Sequence, residues 1–193
     1  MAMSELPLYK FLDAAGACPV TGHAWPTPEG RAPGAWIERA GEFDPAGLGF
    51  LVFRGDDLAP WATSQLYRVE AAGELREEAG AVCVERVRLS APEPRWPEIA
   101  RALVAASHDR TRALLAQHVR LAEYASDMAA CVEHGIINGV LFMSALLHGR
   151  SADRGGDDRQ AQKAAFLNER AWQSRFIAER LAGPYAAVAG DSV

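Results

Sequence analysis

Apolar positions in the first half of the chain follow the two-residue period of β-strands. Residues 8–13, "LYKFLD", and residues 35–40, "AWIERA", each predict a short strand. Residues 65–73, "QLYRVEAAG", alternate between two sides, and residues 81–90, "AVCVERVRLS", are rich in β-branched side chains. These last two segments predict an antiparallel hairpin across a Gly-containing loop at 73–80.

The segment "GLGFLVFRGDDLAPW", residues 47–61, predicts a strand with both faces covered, since residues 50–53 are apolar on both alternations. The strand delivers Arg54 to its end, just before a turn. A strand-end arginine can clamp a carboxylate or a phosphate with two hydrogen bonds, so Arg54 is a candidate site residue. The alternative is an ion pair with the neighbouring Asp56 or Asp57, an arrangement of little energetic weight.

The second half of the chain predicts helices. Pro97 suits a first helical position, and residues 98–134 contain neither Gly nor Pro. Because one helix of that length is unusual, we expect a break near residues 107–111, "SHDRT", where a new helix can be capped. Glycines bracket a nearly apolar helix at residues 135–149, and residues 160–183 predict a long amphipathic helix.

These patterns together predict an α+β fold, with a small N-terminal β-rich part followed by a helical C-terminal part. We place a strand-and-loop part with antiparallel strands in residues 1–94. A helical part packed on it occupies residues 95–183, and residues 184–193 form a loose tail. The Pro-rich segment 91–97 is the boundary between the two parts.

Charge and cysteine content narrow the function classes. The formal net charge of −5 argues against non-specific binding to nucleic acid and against adsorption to anionic membranes. Three widely spaced cysteines are not a disulfide framework, which favours a reducing, cytoplasmic location. The N-terminus does not read as a signal peptide, and the longest uncharged stretch, residues 135–149, is too short to span a bilayer.

The strong sequence signatures of cofactor and metal sites are absent. The chain contains no GxGxxG, P-loop, paired CxxC, HExxH or GxSxG pattern. We therefore expect neither a nucleotide-type cofactor nor a bound metal ion. The expected partner is a small-molecule ligand, and the sequence leaves a homodimer open.

The segment "ACPVTGH" carries one candidate for nucleophilic chemistry. Cys18 and His23 lie close together on a loop that Pro19 stiffens. A thiol beside an imidazole can act as a nucleophile, because the imidazole can lower the thiol pKa and accept its proton. The alternative is that Cys18 is a small buried apolar residue and His23 a turn residue.

Two weaker groups complete the candidate residues. His134 and Asn138 would lie one turn apart if the helix continued across Gly135, and such a pair could hold a ligand or activate water. The alternative is a helix junction, with His134 near the negative end of the helix dipole. Trp25, Trp36 and Trp61 could line a ligand pocket, or they could seal a core.

Three patches of the chain together resemble an uncharacterised actinobacterial protein family. They are "YKFLDAAGACPVTGHAWPTPEG" with the following "PGAW", "GFLVFRGDDLAPW", and "ERAWQSRFIAERL". The resemblance covers most of the chain through short motifs, and it implies no activity, since the family has no settled one. Its members carry His and Cys on the central strand, at positions that align with Leu51 and Phe53. The resemblance therefore implies that a site strand has become apolar, either as core or as the wall of a pocket for a more apolar ligand.

The leading hypothesis is a small-molecule-binding protein, a cofactor-free enzyme of the isomerase or cyclase type, acting on an apolar compound in bacterial specialised metabolism. Arg54 would act with one of Cys18, His23 or His134, in a pocket rimmed by Trp25, Trp36 and Trp61. The alternative is a non-catalytic binding or regulatory protein that uses its helical half. A weaker alternative is a divergent ADP-ribosyltransferase-like scaffold, which rests on analogy of fold.

Overall fold

The computed structural model describes residues 7–38, 50–78, 80–153 and 158–183. Within these ranges an antiparallel sheet occupies the N-terminal half and helices follow it from Trp96 onwards, so the predicted α+β class is confirmed. The last strand ends at Pro92, close to the predicted boundary. The predicted tail, residues 184–193, and the last two residues of the strand predicted at 35–40 lie outside the described residues.

Five strands form the sheet of the described residues. They are β1 (Leu8–Leu12), β2 (Ile37–Glu38), β3 (Phe50–Val52), β4 (Gln65–Glu78) and β5 (Ala81–Pro92). Their order is β1-β4-β5-β2, and β3 also pairs with β5. The predicted hairpin of β4 and β5 is confirmed, but the loop predicted from Gly73 is wrong. β4 continues through Gly73 to Glu78, with a register shift between Ala72 and Leu75 and a positive φ of 81° at Gly73.

The sheet curls until its first and third strands meet. The Tyr9 amide donates to the Phe53 carbonyl at 2.8 Å, and the Phe53 amide donates to the Tyr9 carbonyl at 2.9 Å. β1 therefore contacts β4 on one side and the end of β3 on the other. This closure brings the residues of β1 beside those of β3, although about forty residues separate them in sequence.

Four helices and one 3₁₀ segment make up the described helical half. They are α1 (Trp96–Gln117), the 3₁₀ segment Val119–Tyr124, α2 (Ala125–Glu133), α3 (Ile137–Ser151) and α4 (Arg159–Ala182). The predicted break at residues 107–111 is wrong. Ser107 and Thr111 are buried, and the Thr111 hydroxyl donates to the Ser107 carbonyl one turn earlier, so α1 continues to Gln117. Within the described ranges, no helix combines the length and apolar character that crossing a membrane requires.

The core lies on both faces of the curled sheet. One cluster joins the sheet to the helices and includes Phe11, Leu103, Leu141 and Ile177. A second cluster covers the opposite face, where the loop after β1 packs with Cys18 and Trp25 among others. Side chains on both faces of β1 therefore lie in apolar surroundings. A charged residue on this strand is buried among apolar side chains, which is unusual.

A buried carboxylate ties the sheet to the last helix. Glu93 is 2% exposed and accepts hydrogen bonds from the guanidinium groups of Arg68 and Arg95. Arg95 also donates to the Leu181 carbonyl at 2.8 Å and to the Gly183 carbonyl at 3.1 Å. The ion pair of Glu93 and Arg95 therefore holds the end of β5 against the end of α4.

Candidate functional site

A cavity of about 180 Å³ lies between β1, β3 and the loop that follows β1. Its walls are mainly aromatic and aliphatic. The apolar side chains that line it include Phe11, Val20, Trp25, Phe50, Leu51, Phe53 and Trp61. The Phe53 and Trp61 rings stack at a centroid distance of 5.0 Å, and Trp25 meets Phe50 edge to face. Such a lining favours an apolar ligand.

The loop after β1 is folded tightly by its own hydrogen bonds. The Asp13 carboxylate accepts from the amides of Ala15 and Ala17, both at 2.9 Å. The Cys18 amide then donates to the His23 carbonyl, and the Gly22 amide donates to the Cys18 carbonyl, both at 2.8 Å. The sequence "CPVTGH" therefore forms a compact turn at the rim of the cavity, and this turn fixes the position of the Cys18 thiol.

Lys10 is the feature of the cavity that sequence reasoning missed. It lies on β1 between Leu8 and Leu12, it is 5% exposed, and its Nζ donates to the Leu51 carbonyl at 2.9 Å. The ammonium also lies over the Trp25 ring at 4.9 Å and the Phe53 ring at 5.8 Å. Among the described residues, no carboxylate lines the cavity or pairs with this ammonium.

The sulfur of Cys18 is the group in the cavity that favours the charged form of Lys10. Burial lowers the pKa of Lys10, while its charge interaction and hydrogen bond with Cys18 act in the opposite direction. A lysine ammonium has three N–H donors. The Leu51 carbonyl accepts one of them, so donors remain that can face the Cys18 sulfur and a ligand.

Cys18 is held in a setting that favours its thiolate form. Burial acts to raise the pKa of the Cys18 thiol. Hydrogen bonds from the Thr21 hydroxyl and from the amides of Thr21 and Val20, together with the charge of Lys10, outweigh burial and leave this pKa below its ordinary value. Thiolate is the nucleophilic form of cysteine, so the loop and Lys10 together activate Cys18.

The structure brings four of the predicted site residues together and adds Lys10 to them. Cys18, His23, Trp25 and Trp61 all line the cavity, with His23 on the exposed side of the rim. A sequence signal for Lys10 existed, since a lysine in the centre of "LYKFL" interrupts a strand that is otherwise apolar on both faces. Its partner Leu51 lies 41 residues away, which no local pattern reveals.

Arg54 lies outside the group that lines this cavity. Its guanidinium donates to the Glu77 carboxylate on β4, with the Nε atom at 3.1 Å, and the Glu77 side chain is largely exposed. The pair is therefore a surface contact between the end of β3 and the end of the β4 strand. Glu77 is a partner that the sequence did not suggest. The charge of Arg54 also reaches the neighbouring Asp57: burial raises the pKa of Asp57, and Arg54 acts to lower it.

Three further predicted residues are not among those that line the cavity. The guanidinium groups of Arg86 and Arg88 both lie over the Trp36 ring, at 4.6 and 4.7 Å from its centre. His134 is the exposed residue that ends α2, and Asn138 is exposed at the start of α3. The alternative of a helix junction at His134 is confirmed, because Gly135 has a φ of 65° and ends the helical path.

A second cavity lies in the helical half, between α1 and the junction of α2 with α3. Its volume is about 520 Å³, and its lining includes Val104, His108, Cys131, Val132 and Val140. It is a largely apolar groove, and it contains neither His134 nor Asn138 among its lining residues. In the part of the chain that the structure describes, no cluster of three or more His, Cys, Asp or Glu side chains could hold a metal ion.

Comparison with family models, with curated proteins and with solved structures finds no match to this chain. The resemblance to the actinobacterial family therefore stays a prediction. The two positions where that family carries His and Cys, Leu51 and Phe53, both line the cavity here. Phe53 also belongs to the core cluster that joins the sheet to the helices, and Leu51 packs against it. Both readings that the resemblance left open, core and pocket wall, therefore stay predictions.

Proposed function

We propose that the chain is a small-molecule-binding protein that acts as a cofactor-free enzyme on a small apolar compound, with Cys18 as nucleophile. The observation that carries this proposal is the placement of Cys18 and a buried, carboxylate-free Lys10 on one aromatic cavity. A buried ammonium without a carboxylate is costly, so its presence in the cavity supports a role in binding or chemistry. A place in bacterial specialised metabolism remains part of the proposal.

Each group of the cavity has a distinct task in this account. The aromatic walls bind the apolar body of the ligand and keep water out. Lys10 directs a donor at a polar or developing negative atom of the ligand, where a fixed charge in apolar surroundings is most effective. Cys18 forms a transient covalent bond, because its thiolate is stabilised before the ligand arrives.

A thermal-shift series tests whether the cavity binds such compounds. The probes are benzene, benzaldehyde and cyclohexanone, with glycerol as a polar compound of comparable size. At a tenfold excess over Kd a bound ligand stabilises the folded state by about 1.4 kcal/mol, which raises Tm by about 3–6 °C in a chain of this length. We expect the carbonyl compounds to give this shift and glycerol to give none.

Two variants locate the binding site. Arg54→Ala removes a charged residue outside the cavity, so we expect the same ligand shifts as in the wild type. Lys10→Met keeps the length of the side chain without its charge, so benzene should shift it as before and the carbonyl compounds should shift it less. Absence of any ligand shift in the wild type would contradict the proposed function, and so would loss of the shifts in Arg54→Ala alone.

The non-catalytic alternative is favoured by one observation, the groove of about 520 Å³ in the helical half. In this second proposal the occupant is another copy of the chain, seated on the groove with its exposed apolar side chains nearby, such as Ile136. Light scattering of the purified protein tests it. A stable dimer that Val104→Glu dissociates would support this alternative, and a monomer at all concentrations would contradict it. The ADP-ribosyltransferase hypothesis stays a prediction, and failure to bind nicotinamide dinucleotide would contradict it.

A further inference from the structure

The size of the Cys18 cavity limits the part of a substrate that it can enclose. A cavity of about 150 Å³ holds benzene, and this cavity measures about 180 Å³. The enclosed part of the ligand therefore has about seven non-hydrogen atoms. On the rim, Val20 is 54% exposed, so a longer substituent could leave the cavity there.

The polar groups of the cavity limit the chemistry further. Acyl transfer needs an acid for the leaving group and a base that activates water for the second step. Among the described lining residues only His23 and Lys10 could serve. His23 lies on the exposed rim without a carboxylate among the lining residues to orient it, and the Lys10 ammonium already donates to the Leu51 carbonyl. Chemistry that needs no leaving group and no water fits the groups that are present.

A polarisable thiolate beside a fixed cation suits one such reaction. Thiolates add readily to the β-carbon of an alkene conjugated with a carbonyl group, and the negative charge then appears on the carbonyl oxygen. In the s-cis form of such a compound, the oxygen and the β-carbon lie on the same side of the molecule. Cys18 and Lys10 both line the cavity, so the sulfur and the nitrogen can meet these two atoms at once.

We propose that the substrate is a small apolar α,β-unsaturated ketone or aldehyde and that the enzyme isomerises its double bond by reversible addition of Cys18. This inference rests on the proposed function and names its substrate class. The sulfur bonds to the β-carbon, and the alkene electron pair moves to give an enolate whose oxygen accepts from a remaining donor of Lys10. Rotation about the new single bond follows. The enolate then re-forms the alkene and expels the thiolate, so no atom or electron is gained or lost.

Adduct formation tests the first step. The probe is methyl vinyl ketone, which can adopt the s-cis form, with cyclohexanone as the carbonyl compound that binds but cannot add. We expect the intact mass to rise by one methyl vinyl ketone, with peptide mapping placing it on Cys18, at a rate well above that of glutathione. Cys18→Ser should form no adduct at this site. Lys10→Met should react about a hundredfold more slowly, because the charge that stabilises the enolate is gone, and Arg54→Ala should match the wild type.

Isomerisation tests the complete cycle. The probe is the Z isomer of methyl propenyl ketone, followed by NMR as it converts to the E isomer. We expect conversion by the wild type and by Arg54→Ala, and loss of conversion in Cys18→Ser and Lys10→Met. Thr21→Val removes a hydroxyl that donates to the sulfur without touching the cation, so it should slow conversion while leaving the fold intact.

The outcomes separate this inference from the function on which it rests. A thermal shift with cyclohexanone but no adduct faster than that of glutathione would overturn the substrate class and leave the binding function standing. An adduct on Cys18 without isomerisation would overturn the reversible step. No thermal shift and no adduct with either compound would overturn both proposals.

Discussion

Lys10 shows how one residue can depart from the pattern of its strand. It shares a face of β1 with Leu8 and Leu12, and on that face the surroundings are apolar. Its charge is met by the Leu51 carbonyl, by two aromatic rings and by the Cys18 sulfur. These partners offset the cost of burying the ammonium less completely than a carboxylate would. A residue that lowers stability in this way is typical of a functional site.

Replacement of Lys10 by Met is therefore expected to change stability little while it lowers reactivity. Burial of the ammonium is costly, and Met restores apolar packing at similar length, so the free energy of unfolding should change by no more than about 1 kcal/mol. Loss of one partner of a structural buried ion pair costs about 3–5 kcal/mol. Urea unfolding of both proteins provides the measurement. A loss in the structural range would contradict a functional role for Lys10.

At the scale of elements, the loop between β1 and β2 carries most of the site. Cys18, His23 and Trp25 all lie on it, and its far end is fixed to the sheet by the Gly34 amide, which donates to the Leu89 carbonyl at 2.9 Å. Gly34 also passes so close to the preceding part of the loop that an added Cβ would lie 2.1 Å from the Pro26 carbonyl oxygen. The loop is thus built around a contact that only glycine permits.

Gly34→Ala should disturb the loop and the site with it. The added methyl group meets a backbone atom that cannot move aside easily, and such overpacking costs about 1–3 kcal/mol. We expect lower stability in urea and loss of the ligand-induced thermal shift. Gly55→Ala is the matched control, because a Cβ there meets Ala178 at an ordinary 3.7 Å. Equal behaviour of the two variants would show that the close approach at Gly34 is unimportant.

At the scale of the whole molecule, Glu93 links the sheet to the helices. Burial acts to raise the pKa of this carboxyl, but hydrogen bonds from Arg95 and Arg68 outweigh it and hold the pKa below its ordinary value. A carboxyl whose pKa is lower in the folded state stabilises that state at pH values above its unfolded pKa, near 4.5. This contribution is lost as the pH falls from that value through the folded pKa.

Glu93→Gln should lower the stability at neutral pH by about 2–4 kcal/mol, because the two guanidinium groups lose a charged acceptor. The difference in stability between wild type and variant should shrink as the pH falls below about 4.5. There the Glu93 carboxyl becomes protonated, first in the unfolded state and at lower pH in the folded state. Urea unfolding at a series of pH values measures it. A difference that stays constant down to acid pH would contradict the assignment of this stability to the Glu93 charge.

Features that depend on neighbouring residues could be predicted from the sequence. Features that depend on contacts between distant parts of the chain could not. The strands of the hairpin and helices α3 and α4 follow from local periodicity, which is why they could be predicted. The continuation of α1 through residues 107–111 could not, because burial of Ser107 and Thr111 depends on helices that come later in the chain. The segment "ACPVTGH" indicated Cys18 as a candidate nucleophile. The interaction of Cys18 with Lys10 could not be predicted, because it forms only when the loop folds back over β1.

The most direct test of the account is the pH dependence of Cys18 alkylation. Iodoacetamide is applied over a range of pH values to the wild type and to Lys10→Met, and peptide mass spectrometry follows Cys18. Buried Cys83 is the folding control, because it is alkylated only if the protein unfolds. In the wild type, we expect Cys18 to reach half its maximal alkylation rate at a lower pH than N-acetylcysteine does. In Lys10→Met, we expect this midpoint to move to a higher pH. A midpoint at or above that of N-acetylcysteine, unchanged in Lys10→Met, would contradict the activation of Cys18 by Lys10.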